Sequence, residues 1–563
     1  MTEPASTTDA TEPSESTGPT EPIGRSGASG PTAPTEGTEP REPTGTTRTT
    51  GTAWPTGTAG PTGSTASTEP TEPTGTTKPT APAESAAPAK ATATTDPPVA
   101  YRLAEFAAAA REQGVGAELR ADAARRVLDV LGNSIAAQRV PAAATVRALV
   151  TEWGGAARAT ALGLPGRYPE AAAALLGGTL AHALDFDDTH LPSVLHPSAT
   201  VVPTALAVAE ATGATGAALL DAIAVGIELT VRTGMAGYDA ALGNSVFFER
   251  GLHATAICGA LGGAAAAAML YGLDAAGIAH ALGIAASMGS GLLEANRTGG
   301  TVKRVHCGWA AHAAVTAAGL ARHGLTGPPT VLEGRFGLLH AFCGDRAHPD
   351  QLLDGLGEHW ELPRVFFKPY PCNHFTHAGI DAARRLRDRG VTAAEIVCLT
   401  LGAPTPVLRT IGEPRTAKQR PESGYHAAFS GPYTVAAALL GGGGLGVFHE
   451  DFTDVAARDP ARLALAAKVV CVPDPRCDEI FPHQFPATLT AELRDGRTLT
   501  EHVAVNRGGP GDPLSPDELA TKFRLNTTGA LSPARADDIT EIVYGLADLD
   551  DPGKLTTLLH SPT

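Results

Sequence analysis

The 563-residue sequence lacks the features of several common protein classes. It has 43 lysines and arginines against 59 acidic residues, a formal net charge of −16, and no run of five like charges. A protein that binds nucleic acid normally presents a basic face to the phosphate backbone, so we expect no nucleic acid as its main partner. P-loop and G-x-S-x-G motifs are also missing, which argues against nucleotide-driven and serine-hydrolase chemistry.

The chain also has no sequence signal for secretion or for a membrane span. Its N-terminus has neither a basic start nor an apolar stretch, so we expect a cytoplasmic protein. The longest uncharged apolar stretch, residues 254–273, is mostly Ala and Gly, which predicts a buried core helix. The seven cysteines lie between Cys258 and Cys477 without a C-x-x-C pair, which predicts reduced thiols.

Large apolar side chains are nearly missing from residues 1–98. This segment is almost wholly Thr, Pro, Gly, Ala, Ser and Glu, and its large apolar residues are Met1, Ile23 and Trp54. Ordering the backbone costs roughly 1–2 kcal/mol per residue, and so little apolar surface cannot offset that cost. The sequence therefore predicts a disordered N-terminal tail over residues 1–98.

The rest of the chain predicts a mainly α fold with a smaller α+β domain. Residues 99–363 have the periodicity of helices broken by Gly and Pro, and about ten helices would fill this large all-helical domain. One stripe at helical spacing contains Leu119, Ala123, Val127, Val130 and Leu131.

The pattern changes after Lys368. Residues 364–512 contain short β-branched runs, and Asp495-Gly496 joins two of them as a predicted hairpin. A helix start signal at Ser515-Pro-Asp-Glu follows. We expect residues 364–512 to form the α+β domain and residues 513–563 to form helices that return to the helical domain.

The densest cluster of functional side chains is the segment "HALDFDDTHLPSVLHPS". If one helix continued through its start, His182, Asp185 and Thr189 would share a face. Three interpretations are open: a metal site, an acid/base site without metal, and acidic residues that merely end a helix and solvate a loop. His196 lies near the end of the segment, but the histidines have no spacing that singles out zinc.

Two further segments place cations at helix starts. In "RTGGTVKRVHCGWAA", Lys303 and Arg304 are predicted in the first turn of a helix, where positive charge is unfavourable unless an anion binds there. In "FFKPYPCNHFTHAG", Lys368 precedes two prolines, Asn373 can cap the next helix, and His374 and His377 follow. Both patterns suit a ligand with several carboxylates, although solvated side chains and a structural loop are the alternatives. His253 precedes the most apolar helix, where a lone histidine is more often a core residue.

Several segments together resemble the MmgE/PrpD family. They are "ALDFDDTH" with "HPS", "GLHATAICG", "GGTVKRVHCGWAA", "FKPYPC" and "AKVVCVPDPRCDEIFPHQFPATLTAELRDG". The similarity runs in order over about residues 100–525. It implies a large helical domain with a smaller α+β lid domain, a site between them, and a homodimer.

The resemblance also implies site residues. By similarity to the family's cis-aconitate decarboxylases, the active site is lined by Asp185, Thr189, His196, His253, Lys303 and Lys368, and no metal or organic cofactor is expected. Arg304 and His374 are expected to help bind the substrate. Two features depart from the decarboxylase pattern: the spacing from Thr189 to His196 is one residue longer, and Asn373 occupies a position where a histidine is expected, which counts against decarboxylation.

Family reactions act on small di- or tricarboxylates and develop carbanion character beside a carboxylate, which cations stabilise. We expect Lys303 and Lys368 to stabilise this negative charge. We expect His196 or His253 to move the proton, with Asp185 orienting the histidine. The expected reaction is dehydration of a 2-methylcitrate-like hydroxy acid, with His253 protonating the departing hydroxyl. The alternatives are cis-aconitate decarboxylation, epimerisation of an iminodisuccinate-type substrate, a non-catalytic binding protein on the same fold, and a metal hydrolase built on Asp185 and His196.

Overall fold

A computed structural model describes residues 96–295 and 300–560, apart from the side chain of His560. The predicted tail lies outside the described residues except for its last positions. The described part is rich in helix and contains a four-stranded sheet, so the prediction of a mainly α fold with some sheet is confirmed.

Long helices dominate the chain up to residue 343. They pack closely because small residues face one another; a Cβ at Gly262 would overlap the carbonyl oxygen of Gly226. The helices in this part are Val99–Gln113, Ala117–Ala137, Pro141–Trp153, Glu170–His182, Ser198–Thr212, Gly216–Met235, Val246–Glu249, Ala254–Leu270, Ala275–Ala286, His306–Arg322 and Leu338–Cys343. Two short strand pairs, Ala159–Thr160 with Arg167–Tyr168 and Tyr238–Asp239 with Asn244–Ser245, connect them.

The apolar Ala- and Gly-rich segment is the helix Ala254–Leu270. All of its residues except Leu270 are buried, as expected for a helix inside a large core. In the described part of the chain, no helix is both long enough and apolar enough to cross a membrane. All seven cysteines are free thiols.

The sheet lies in the second part of the chain. Its strand order is Val469–Pro473, Ile396–Ala403, Ala487–Leu493 and Thr498–Val503; the first pair is parallel and the other two pairs are antiparallel. The last two strands form the hairpin expected at Asp495-Gly496, where Gly496 takes a positive φ of 87°. The helices here are His377–Asp388, Leu408–Ile411, Arg415–Gln419, Gly424–Ala427, Gly431–Leu439, Pro460–Ala466 and Pro475–Asp478.

The buried apolar residues fall mainly into two clusters. The larger combines residues from the range 100–367 with residues from 514–555, and the smaller draws on residues 370–503. Leu519 and Phe523 join the larger cluster from the helix Pro516–Thr527, which Ser515 and Glu518 cap as the sequence predicts. The helices Pro533–Tyr544 and Gly553–His560 end the described chain.

Candidate active site

The first functional segment begins where a helix ends. The helix Glu170–His182 stops at His182, and Asp185 takes a left-handed φ of 54°, a conformation that Asp tolerates better than most residues. The expectation that His182, Asp185 and Thr189 share a helix face is therefore wrong. They lie on a turn and loop, so other segments of the chain must fix their positions.

A short backbone ladder brings the first and third segments together. The amide of Thr189 donates to the carbonyl of Phe366, and the amide of Phe366 donates to the carbonyl of Thr189, both at 2.8 Å. Lys368 follows Phe366 by two positions and is 1% exposed. Its Nζ donates to the carbonyl oxygen of Asp185 at 2.8 Å and lies 3.2 Å from the Asp185 carboxylate. The two segments therefore form one site, although they are far apart in sequence.

His196 is held by the same loop. Its Nδ1 lies 2.6 Å from the carbonyl oxygen of Asp188 and 3.3 Å from the hydroxyl of Thr189. Its backbone amide donates to the hydroxyl of Thr255 at 3.1 Å. Because a carbonyl only accepts, Nδ1 must carry the proton in this geometry, which leaves Nε2 free of a proton.

Four histidine rings lie side by side next to this loop. The ring centroid of His182 is 5.4 Å from that of His196 and 5.3 Å from that of His253. His253 continues the row to His306, with 3.1 Å between their Nδ1 atoms. His253 is therefore not an isolated core histidine. The structure places it in the same row of rings as His196, with His182 between them.

The row contains one charged histidine. His182 Nδ1 lies 2.7 Å from the carboxylate of Asp187. Burial by itself would lower the pKa of His182, but Cys307 and Asp187 outweigh it and raise the pKa to about 10. Burial likewise opposes ionisation of Asp187, yet the charge and the hydrogen bond of His182 hold its pKa well below the usual value. The pair is therefore an imidazolium and a carboxylate at neutral pH.

The other three histidines of the row are neutral at pH 7. Burial, assisted by the positive charges of Lys368 and His182, lowers the pKa of His196 to about 4. Burial and the charges of His182 and Lys303 also lower the pKa of His306 to about 4 and that of His253 well below its usual value. Such a group is a poor base in the free protein. A bound polyanion would raise each of these pKa values, because it would offset the nearby positive charges.

Lys303 and Arg304 lie in the 3₁₀ turn Val302–Val305 that precedes the helix His306–Arg322. The prediction that they occupy the first turn of that helix is wrong by a few residues, although they remain at its N-terminal end. Burial disfavours the Lys303 ammonium, but Asp185 and Tyr425 outweigh this and raise its pKa. The Arg304 guanidinium lies 5.6 Å from the ring centroid of Tyr425. Residues 296–299 of this segment are outside the described residues.

His374 and His377 form a separate buried pair. Their ring centroids are 4.5 Å apart, and Phe366 and Phe485 pack against His374. Burial, together with the charge of Lys368, lowers the pKa of His374 well below its usual value. Within the described ranges neither ring nitrogen of His374 has a hydrogen-bond partner, so a ligand oxygen could satisfy one.

Asn373 has a local structural contact. Its side-chain oxygen accepts from the amide of Phe375 at 3.1 Å and caps the 3₁₀ turn His374–Thr376. The helix His377–Asp388 follows this turn directly. The predicted capping role is therefore present, with the turn placed between the cap and the helix.

Sequence reasoning gave no role to His182, Asp187, His306 or Tyr425. His182 and Asp187 were visible inside the first cluster, and His306 follows Arg304 by two positions, but their partners come from other segments. Tyr425 had no motif that could identify it. Within residues 96–295 and 300–560, no group of three His, Cys, Asp or Glu side chains is arranged to hold a metal ion.

Family models identify the chain. The MmgE/PrpD N-terminal domain matches residues 101–350, and the MmgE/PrpD C-terminal domain matches residues 370–548. The chain belongs to the MmgE/PrpD family. This membership makes the protein an enzyme of the lyase class, a class that in this family includes dehydratases and decarboxylases.

Several relatives carry the name of one reaction. A cis-aconitate decarboxylase of Homo sapiens is 32% identical over 412 residues, which cover 70% of this chain and 81% of the relative. A cis-aconitate decarboxylase of Aspergillus terreus is 29% identical and covers 69% of this chain and 81% of the relative. A cis-aconitate decarboxylase-like protein of Aspergillus oryzae is 26% identical over 83% of this chain and 98% of the relative.

Proposed function

We propose that this MmgE/PrpD lyase acts on a small tricarboxylate without a metal or organic cofactor, and that its reaction is the decarboxylation of cis-aconitate. The observation that carries the proposal is the arrangement of cations at one loop. Lys368 contacts Asp185 directly, Lys303 is within electrostatic reach of Asp185, and the His182 imidazolium pairs with Asp187 of the same loop. These charges suit a substrate with several carboxylates.

The reaction consumes one proton. The bond between the methylene carbon and its carboxylate breaks, and carbon dioxide leaves. The electron pair of that bond forms a new terminal double bond, and the pair of the original double bond moves to the carbon beside another carboxylate. A proton adds at that carbon and gives itaconate. The developing negative charge spreads into the neighbouring carboxylate, which Lys303 and Lys368 would stabilise.

We infer that the proton comes from a histidine that the substrate itself helps to charge. In the free site His196 has a pKa of about 4 and is neutral. A bound trianion raises that pKa, so the histidine can take up a proton on binding and deliver it to carbon. We assign proton transfer to His196 or His253, oriented by Asp185, with Lys303 stabilising the carbanion. Substrate binding is assigned to Thr189, Lys368, Arg304 and His374.

Dehydration of a 2-methylcitrate-like hydroxy acid, the reaction expected from the sequence, is the second candidate. Asn373 favours it, because a histidine is expected there in a decarboxylase. Dehydration begins with removal of a carbon-bound proton by a base, and His196 and His253 are weak bases in the free site. A bound trianion would raise those pKa values for either substrate, so we place decarboxylation first because the matched relatives are named for it. Epimerisation of an iminodisuccinate-type substrate also begins with proton removal and ranks below both.

The architecture implied by the family is also part of the proposal. We propose domains over residues 99–363 and 364–512, the second acting as a lid, with residues 513–563 returning to the first. The division of buried apolar residues into two clusters supports these boundaries. A homodimer is proposed from the resemblance.

Proton NMR in deuterated buffer tests the reaction. Purified protein receives cis-aconitate, 2-methylcitrate or iminodisuccinate separately, with and without a metal chelator. We expect cis-aconitate to give itaconate with one deuterium on the methylene beside the carboxylate, at equal rates in both conditions. An unsaturated tricarboxylate formed from 2-methylcitrate, with cis-aconitate unchanged, would establish dehydration instead.

The control variants separate site chemistry from general damage. Lys303→Met removes a charge at the site, whereas Lys554→Met removes one from an exposed position in the C-terminal helix Gly553–His560. We expect Lys303→Met to lower kcat about 100-fold or more and Lys554→Met to leave it unchanged. Equal turnover by both variants would contradict the assignment of Lys303. Loss of activity in the chelated sample alone would contradict the cofactor-independent reaction.

A further inference from the structure

A second buried lysine contacts the turn that contains Asp185 and Asp187. Lys522, on the helix Pro516–Thr527, is 1% exposed. Its Nζ donates to the carbonyl oxygen of Phe186 at 3.0 Å and lies 3.7 Å from the centroid of the Phe186 ring. Phe186 stands between Asp185 and Asp187, the two carboxylates of the site. The loop is therefore held by lysines on both sides, since Lys368 donates to the carbonyl of Asp185.

A buried polar network supports this contact. Lys522 Nζ lies 2.6 Å from the carboxylate of Asp129, and both side chains are at most 2% exposed. The side-chain amide of Asn133 donates to the same Phe186 carbonyl at 3.1 Å, and Asn526 donates to Asn133 at 3.0 Å. The carbonyl of Phe186 thus accepts two hydrogen bonds from elements distant in sequence. A turn with a left-handed residue at Asp185 needs such external support, because its own backbone does not enforce the conformation.

Stability alone does not explain this ion pair. Moving an ammonium and a carboxylate out of water is expensive, and apolar residues of similar volume often give equal or greater stability in their place. Asp129 and Lys522 both show that expense. Burial raises the pKa of Asp129 and lowers that of Lys522, although each partner opposes the shift.

We propose that Lys522, held by Asp129, is a positioning residue that fixes the Asp185–Asp187 turn in the geometry that catalysis requires. It does not touch the substrate; it acts through the Phe186 carbonyl. The proposal rests on the lyase site described above, because it assumes that Asp185 and its neighbours act on the substrate. It assigns the helix Pro516–Thr527 a part in activity, in addition to its contribution to the hydrophobic core.

The test replaces both charges at once. Lys522→Met by itself leaves the Asp129 carboxylate buried without its cation, which strongly disfavours folding, so the decisive protein is the double variant Lys522→Met/Asp129→Leu. We expect its melting temperature to equal or exceed that of the parent, while kcat falls at least tenfold. Hydrogen exchange followed by mass spectrometry should show faster exchange in peptides covering residues 183–190 and unchanged exchange in the helix Ala254–Leu270.

A matched control is the ion pair between Arg120 and Asp221, whose charged atoms are 2.7 Å apart. Arg120 is on the same helix as Asp129, Ala117–Ala137, but precedes it by nine residues. Arg120→Met/Asp221→Asn should leave both kcat and the exchange of residues 183–190 at parent values. Parent-like kcat and loop exchange in the Lys522/Asp129 double variant would overturn the proposal. Exchange is measured without substrate, so it decides the positioning role even if cis-aconitate is not the substrate.

Discussion

Replacing Lys368 by Met should lower both the free energy of unfolding and kcat, and the two losses can be measured separately. Met preserves most of the side-chain volume but removes the ammonium that contacts the carbonyl and the carboxylate of Asp185. A buried ion pair that loses one partner costs about 3–5 kcal/mol. Lys303 still acts on Asp185, so we expect a loss near the lower end, about 3 kcal/mol at pH 7.

The stability difference should depend on pH. Burial disfavours the charged Asp185, but Lys368 and Lys303 outweigh it and hold the pKa of Asp185 below its usual value. A carboxyl with a lowered pKa stabilises the fold above its unfolded pKa of about 4 and loses that contribution as the pH falls further. The gap between parent and Lys368→Met should therefore be full at pH 7 and shrink below about pH 4.

Activity provides the second measurement. Removing one electrostatic contact to developing charge typically lowers kcat about 100- to 1000-fold. Lys303→Met is the comparison: Lys303 is half-buried, so its removal should cost about 1 kcal/mol of stability with a similar loss in kcat. Urea denaturation and steady-state kinetics measure both quantities. A Lys368→Met protein that unfolds at the parent's urea concentration and keeps the parent's kcat would refute the reasoning.

Two further changes follow from single side chains. Asp187→Asn should lower the pKa of His182, which the parent holds at about 10. A raised histidine pKa gives a stabilisation that is complete below about pH 6.5 and is lost towards pH 10. The parent's unfolding free energy should therefore fall over that range, and the fall should be smaller in the variant, where Cys307 still raises the pKa. His374→Leu removes a buried ring whose nitrogens have no partner within the described ranges, so unfolding midpoints should stay near the parent's while KM rises at least tenfold. An unchanged KM in that variant would remove His374 from the binding residues.

The sequence could predict features that depend on neighbouring residues. The cap at Ser515, the hairpin turn at Asp495-Gly496 and the burial of the helix Ala254–Leu270 all follow from local patterns. Each arises because a turn residue, a capping hydroxyl or an apolar run has the same effect in most surroundings.

Local patterns failed where distant segments decide the conformation. The sequence did not reveal that the helix ends at His182, because the turn after it is held by Lys368, Asn133 and Lys522 from elsewhere in the chain. The placement of Lys303 in the helix itself was wrong for a smaller reason, since a 3₁₀ turn commonly precedes a helix and has almost the same sequence preferences.

By itself the sequence determined the family, the mainly helical fold with a sheet, and which segments carry charged and titratable side chains. Only the tertiary structure decided which histidines lie together, which of them is charged, and which lysine supports the loop from behind. The physical reason is that protonation and loop geometry depend on burial and on charges a few ångströms away. In this protein those neighbours are supplied by segments up to 393 positions apart, and their proximity follows from packing and not from sequence spacing.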